Sequence, residues 1–398
     1  MPRFAALAIL FVLVFSGCGG THNGPPQSAI TPGETIYVAN SESANVSAFQ
    51  FAVSPTGSSL VSLAPASGSP FPVSTPPTAL GGNFNLIVAS SAEKTISAYK
   101  TDPMTGALSS FVATISSAYT PEAIGIWLNF VYVADAEGYV SVYELAGNSL
   151  SEISGSPFAA GASPAALTVA PELGPFVPYP VLYIANSKSN NISAYSIDST
   201  TGAIAALPGS PYAAGTAPDS IVAVAPFQNP TTMTSPAIVV ATNRGSNNVS
   251  VYLVGSGGSL APVLGSPFPA GLGPAAATTV LNQPLPSTSN TGGQDFLYVA
   301  NSGSNDISAY NVDPATGVLT PLTGSPFKAG TRPSSIAASN SPAPEAVFVA
   351  NAGSNDMSVY GINQVSGALQ PIYGSPFSVG NSPQHLLFIY VSLVTPGA

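Results

Sequence analysis

The chain of 398 residues has one cysteine, two histidines, one tryptophan and only seven lysines and arginines, and its charged residues amount to 6%. Each shortage excludes something. A single cysteine closes no internal disulfide, so packing and hydrogen bonds alone must hold the fold. Two histidines and no second cysteine leave no ligand set for a transition-metal centre, and neither a metal nor another cofactor is expected. A nucleic-acid binder needs a basic face that displaces counterions; a net charge of −10 offers none. The acidic excess is spread along the chain and forms no tail.

Proline and glycine are plentiful, at 40 and 38. They fall at fixed places in a repeat, which marks them as turn residues and argues against low complexity. The repeat is plainest at residues 348–360, Phe-Val-Ala-Asn-Ala-Gly-Ser-Asn-Asp-Met-Ser-Val-Tyr. An apolar run, a polar tip rich in glycine and asparagine, and a second apolar run spell a β-hairpin. Copies stand at 37–49, 183–195 and 298–310, with weaker ones at 87–99, 132–143 and 239–252. Their marker alanines are Ala39, Ala89, Ala134, Ala185, Ala241, Ala300 and Ala350, so the spacing runs from 45 to 59 residues. A period of that size is one supersecondary unit copied, and neighbouring units share a core.

Each unit supplies four strands. The second is apolar on both faces, as in Val347-Phe348-Val349-Ala350, and so should lie between sheets. The fourth carries a proline (Pro262, Pro321, Pro371), which cannot donate to a ladder and belongs on an outer edge. Asp102, Asp198 and Asp313 each open a turn closed four residues later by a glycine, and are turn formers. Between units runs Gly-Ser-Pro-Phe or Gly-Ser-Pro-Tyr, a linker and another proline; Phe158, Tyr212, Phe268, Phe327 and Phe377 are expected to wedge between sheets. The first hairpin lacks a preceding strand, whereas residues 384–389 form a strand with no hairpin after it. Pairing the two completes a seventh sheet. The fold class is therefore all-β, a seven-bladed β-propeller of four-stranded antiparallel blades closed by its own chain ends.

The N-terminus reads differently. A short basic lead, Met1-Pro2-Arg3, precedes an apolar run at residues 4–15, too short to span a bilayer as a helix and suited to a signal peptide. Ser16-Gly17-Cys18-Gly19 resembles the lipobox of bacterial lipoproteins, which implies acylation of Cys18 and a membrane anchor. The expected organisation is a signal at 1–17, a flexible tether at 18–33 holding His22, and the propeller at 34–394. The expected place is the bacterial cell envelope, at the outer membrane or facing the periplasm, as a monomer.

The motif Tyr37-Val38-Ala39-Asn40, repeated as Tyr298-Val299-Ala300-Asn301 and followed by Ser-Asn-x-Ile-Ser-Ala-Tyr, resembles the YVTN-type repeat of seven-bladed propellers. Those repeats are similar to the lactonase, or phosphogluconolactonase-like, propeller superfamily. Pro383-Gln384-His385 also resembles the Pro-Arg-His of lactonase propellers, with glutamine in place of arginine. The resemblance implies a lactone hydrolase, but the superfamily also holds binding and surface proteins.

Function in a propeller gathers at the central mouth, where linkers and hairpin tips should share one face. Residues beside the linker prolines would ring it: Thr78, Glu122, Ala165, Asp219, Ala275, Arg332 with Ser334, and Gln384 with His385. Glu122, Asp219, Arg332 and His385 are the titratable members and the catalytic candidates. Asn186, Asn301 and Asn351, in the hairpins, are candidates for binding. So few acids and bases favour a module that binds an envelope protein or glycan without catalysis. A lactone hydrolase with Glu122 or His385 as general base is the alternative, and a structural spacer a third reading. Connections lengthen at 171–180, 226–236 and 281–295, where Phe176, Tyr179, Phe227 and Met233 would mark a partner surface on the opposite face.

Overall fold

The computed structural model describes residues 34–53, 60–82, 85–102, 104–170, 177, 179–224, 237–280, 295–339 and 346–390. Among the described residues no helix is long and apolar enough to cross a membrane. The signal, tether, Cys18 and His22 lie outside them, as do Phe176, Phe227, Met233 and residues 391–394. Tyr179 is described, and its hydroxyl faces the Gly257 carbonyl at 3.4 Å.

Seven antiparallel sheets are arranged as blades, and the innermost strands contact one another in an unbroken ring. From blade two to blade seven these strands are Ala79–Gly82, Pro121–Trp127, Pro164–Ala170, Pro218–Val224, Pro274–Val280 and Pro333–Ala338. The ring closes in blade one, where Pro383–Tyr390 pairs with Glu34–Asn40 from the other end of the chain. The expected closure is thus observed. Second strands such as Phe130–Asp135, Val181–Asn186 and Ala346–Asn351 are buried at every residue, as sequences apolar on both faces require. Core clusters lie between neighbouring blades; one joins Phe296 and Tyr298 of blade six to Val347 and Tyr360 of blade seven. Pro262, Pro321 and Pro371 sit on outermost strands, where their missing N–H costs no ladder bond.

Two sets of buried tyrosines tie the blades together. Second-strand tyrosines reach forward: the Tyr37 hydroxyl donates to the Gly106 carbonyl at 3.0 Å, Tyr132 to Gly202 at 3.1 Å, Tyr183 to Gly258 at 2.8 Å and Tyr298 to Gly367 at 2.7 Å. Third-strand tyrosines reach back, Tyr195 to Ala159 and Tyr252 to Ala213, both at 2.6 Å. Each phenol is buried with its hydroxyl satisfied, so the ring gains apolar burial without an orphaned donor.

The stereotyped turns follow from their residues. Asp102 Oδ1 accepts from the Met104 and Thr105 amides at 2.8 and 2.9 Å, which holds its carboxyl below the usual range. Gly106 closes that turn at a φ of +67°. In Gly-Ser-Pro-aromatic the serine hydroxyl accepts a third-strand amide, as Ser210 does from Ala194 at 2.9 Å, and so replaces a partner the short fourth strand cannot supply. The aromatic then adds two residues of pairing, as at Tyr212–Ala213, and packs half-buried between blades.

Candidate functional site

The mouth is built by a β-bulge repeated around the ring. Where the inner strand begins in six of the seven blades, one residue is left opposite no partner: Glu122 between the pairs Pro121–Asp135 and Ala123–Ala134, and likewise Ala165, Asp219, Ala275, Ser334 and Gln384; the short inner strand of blade two pairs without a shift. A bulge re-aims its side chain, and here it brings one residue from each of those six blades to the rim. Hairpin tips and linkers share this face as expected, because the tip amides of Ser41, Ser187, Arg244, Ser302 and Ala352 donate to Ser382, Ser163, Ala217, Gly273 and Arg332.

All seven inner strands line a central channel of about 1020 Å³ that contains Glu122, Asp219, Arg332 and His385. The four predicted catalytic candidates therefore converge on one cavity, each from a different blade. The channel also contains Arg244, so the expected list of titratable groups was incomplete. Arg244 follows the hairpin asparagine Asn243, at a place occupied by Ser41, Ser187 or Ala352 in other blades. Aligning the repeats would have exposed it; considering only the neighbours of the linker prolines did not.

The groups differ in environment. Burial, reinforced by the like charge of Glu137, pushes the Glu122 carboxyl above the ordinary range. Burial also raises Asp219, and the adjacent Arg244 offsets this only in part. The Asp219 Oδ2 to Arg244 Nη1 distance is 3.0 Å. Arg332 is exposed at the rim with φ +50°, its backbone N–H donating to Asn305 Oδ1 at 2.7 Å, and among the described residues no carboxylate pairs with its guanidinium. His385 follows the bulge at Gln384 and sits in the channel wall; its Nδ1 is shut off from solvent without a partner among the described residues. Burial lowers its pKa to about 4, so the imidazole is neutral at pH 7. Among the described residues no three His, Cys, Asp or Glu side chains cluster as a metal site.

The asparagines proposed for binding serve another purpose. Asn186, Asn301 and Asn351 are wholly buried. Asn301 Nδ2 donates to Asp306 Oδ1 at 2.7 Å and Ser308 Oγ at 2.9 Å, and Asn186 and Asn351 make the same pair of bonds. They brace the hairpins and present no surface to a ligand. Gly161 packs so closely on the Asn186 amide that a Cβ there would fall 2.5 Å from its Cγ.

A family model described as lactonase, 7-bladed beta-propeller matches residues 290–384, which cover the second to fourth strands of blade six, blade seven and the start of the closing strand. The fold is that of the lactonase propellers. A provisionally assigned 6-phosphogluconolactonase from Bacteroides uniformis superposes with a TM-score of 0.67 at 16% identity, over 89% of this chain and 99% of that one. A second such protein, from Bacteroides fragilis, gives 0.66 at 16% over 92% and 100%. The periplasmic gluconolactonase of Pseudomonas aeruginosa gives 0.63 at 18% over 90% and 99%. A comparison with curated protein sequences gives no match. These findings correct the expectation of a module that binds without catalysis. The matched segment carries Arg332 and Gln384 of the mouth, and it matches a lactonase; the alternative reading is the better supported one.

Proposed function

We propose that the protein is a lactonase-like hydrolase that opens a sugar lactone at the central mouth. The observation that carries this reading is the convergence of Glu122, Asp219, Arg332 and His385 on one channel, with Arg332 inside the segment matched by the lactonase family model. Glu122, its pKa raised by burial and by the like charge of Glu137, suits a general base that takes a proton from water as its oxygen attacks the lactone carbonyl carbon. The Arg332 guanidinium, without a carboxylate of its own, donates to the carbonyl oxygen as negative charge develops there. The ring C–O bond then breaks, the proton held by Glu122 passes to the departing ring oxygen, and a hydroxy acid leaves. Neutral His385 and the Asp219–Arg244 pair bind and orient the sugar hydroxyls.

The related proteins named above act on, or are assigned to, gluconolactone and its 6-phosphate. An unphosphorylated sugar lactone fits this mouth better, because a phosphate calls for several cationic donors and Arg244 is already engaged by Asp219. A panel of five- and six-membered sugar lactones, followed by acid release above the spontaneous rate, tests the proposal. Saturable hydrolysis supports it, and none across the panel refutes it.

The same reading includes a place of action in the cell envelope, supported by the sequence at Ser16-Gly17-Cys18-Gly19. Two or three acyl chains would give stable attachment where one gives marginal attachment. Cys18→Ala should release the chain from membranes or leave its signal uncleaved; processing and attachment like the parent's would count against the anchor.

A further inference from the structure

In blade three, which supplies Glu122 to the mouth, two aromatic rings occupy places that are not aromatic in the other blades. Tyr119 lies in the linker entering blade three, where other linkers have Ala162, Thr216, Leu272, Thr331 or Asn381. Tyr139 opens the third strand, where the equivalents are Asn45, Asn191, Asn248, Asp306 and Asp356. Those side chains accept a bond from the buried hairpin asparagine, as Asn191 Oδ1 does from Asn186 at 2.9 Å. Blade three has Asp135 in place of that asparagine. A carboxyl has no N–H to donate, and Asp135 Oδ2 accepts from Ser141 Oγ at 2.6 Å instead, so position 139 is freed from the acceptor role and can hold a ring.

The two rings stack with centroids 4.7 Å apart and planes inclined by 35°. Both are half-buried, belong to none of the interblade core clusters, and among the described residues neither hydroxyl has a partner. Beneath them the linker is fixed: Thr120 donates its amide and hydroxyl to Glu137 at 2.9 and 2.8 Å. The Glu122 side chain begins two residues further on, close enough for Glu137 to raise its pKa. The result is an aromatic pair with free phenolic hydroxyls at the braced linker that leads into Glu122 of the mouth.

We infer that Tyr119 and Tyr139 form an outer subsite for a second, neutral pyranose ring, so that the preferred substrate is a lactone at the end of a disaccharide or longer glycan. The C–H face of a pyranose packs on a tyrosine ring, and its hydroxyls meet phenolic donors and acceptors. This rests on the hydrolytic reading above and narrows its substrate.

The test compares δ-gluconolactone with the lactone of cellobionic acid, using the full chain. The parent should prefer the disaccharide lactone by about three- to tenfold in kcat/KM, expressed in KM, the size expected of one aromatic contact. Tyr119→Ala should remove that preference and leave δ-gluconolactone turnover as it was. Equal turnover of the two lactones by the parent, or a preference that survives Tyr119→Ala, overturns the subsite. Tyr139→Ala repeats the test on a strand, with thermal melts to exclude misfolding. If neither lactone is hydrolysed, the hydrolytic reading fails on its own. The subsite is then judged by titrating cellobiitol against the tyrosine ring resonances, where perturbation of Tyr119 and Tyr139 supports it and unperturbed resonances overturn it.

Discussion

Arg244 places Nη1 3.0 Å from Asp219 Oδ2 and Nη2 3.3 Å from Ser302 Oγ, so one guanidinium joins blades five and six across the rim. Arg244 is 54% exposed, and a pair so placed contributes about 0–1 kcal/mol to stability. Arg244→Ala should barely move the melting temperature. Arg332 is the unpaired cation of the channel, and Arg332→Ala should lower kcat by about 10²–10³, as loss of an oxyanion donor does. Steady-state kinetics on both variants check the ranking; a larger loss from Arg244→Ala would exchange their roles.

Glu137 and Glu122 are coupled through space. Slight burial works against ionising Glu137, but the Thr120 amide and hydroxyl and the Lys94 ammonium outweigh it and keep the carboxylate charged. That charge adds to the burial that raises Glu122. A base whose pKa is raised is inactive while protonated, so activity should climb with pH along a limb above the ordinary glutamate value of about 4.3. Glu137→Gln removes the like charge and should move the limb to lower pH. A kcat/KM profile unchanged by this substitution would remove Glu122 from the role of base.

Asp135 is buried like its asparagine counterparts, with Ser141 Oγ donating to Oδ2 at 2.6 Å and Oδ1 unpartnered among the described residues. Burial is the main cause that raises its pKa to about 7, against the Ser141 hydrogen bond and with help from Glu137. An unfolded aspartate titrates near 3.9, so between about pH 4 and pH 7 the folded state keeps a proton that the unfolded state has lost. Stability therefore falls as pH rises through that window, by about 1.4 kcal/mol per pH unit from this group. Asp135→Asn restores the donor of the sister blades and should flatten the slope and stabilise the chain at pH 8. Denaturant melts at pH 5 and pH 8 measure both, and parallel curves for the two proteins would contradict the assignment.

Closure by the chain ends makes stability depend on the last strand. Deleting residues 383–398 removes the partner of Glu34–Asn40 and bares Ile36, Tyr37 and Val38, now almost fully buried, along an open edge. The truncated chain should aggregate or melt well below the parent. An unchanged melting temperature and solubility would mean that the ring holds without that strand.

The propeller was legible because its signals are local and repeated. The apolar second strands, the Asp-to-Gly turns, the edge prolines and the unpaired strand at 384–389 each dictate one backbone outcome, and seven copies average out the weak ones. The rim was legible at Glu122, Asp219, Arg332 and His385 because each stands beside a linker proline. Arg244 escaped because it reaches the channel from a hairpin tip. The hairpin asparagines misled because a polar residue near a tip suggests exposure; in fact each turns its amide inward to brace its own hairpin, a role visible only once register is known. Tyr119 and Tyr139 are twenty residues apart, and only blade geometry brings them together. The non-catalytic reading rested on counting acids and bases per blade, and a channel that gathers one group from each blade defeats that count.

The most direct test of the account is lactone hydrolysis by the full chain beside its Glu122→Ala/Asp219→Ala/His385→Ala variant. General acid–base catalysis contributes typically 10²–10⁴-fold, so δ-gluconolactone or its disaccharide counterpart should be opened with saturation kinetics by the parent and at the spontaneous rate by the folded triple variant. A parent that never exceeds the spontaneous rate, or a triple variant as fast as the parent, would contradict a hydrolytic site at this mouth.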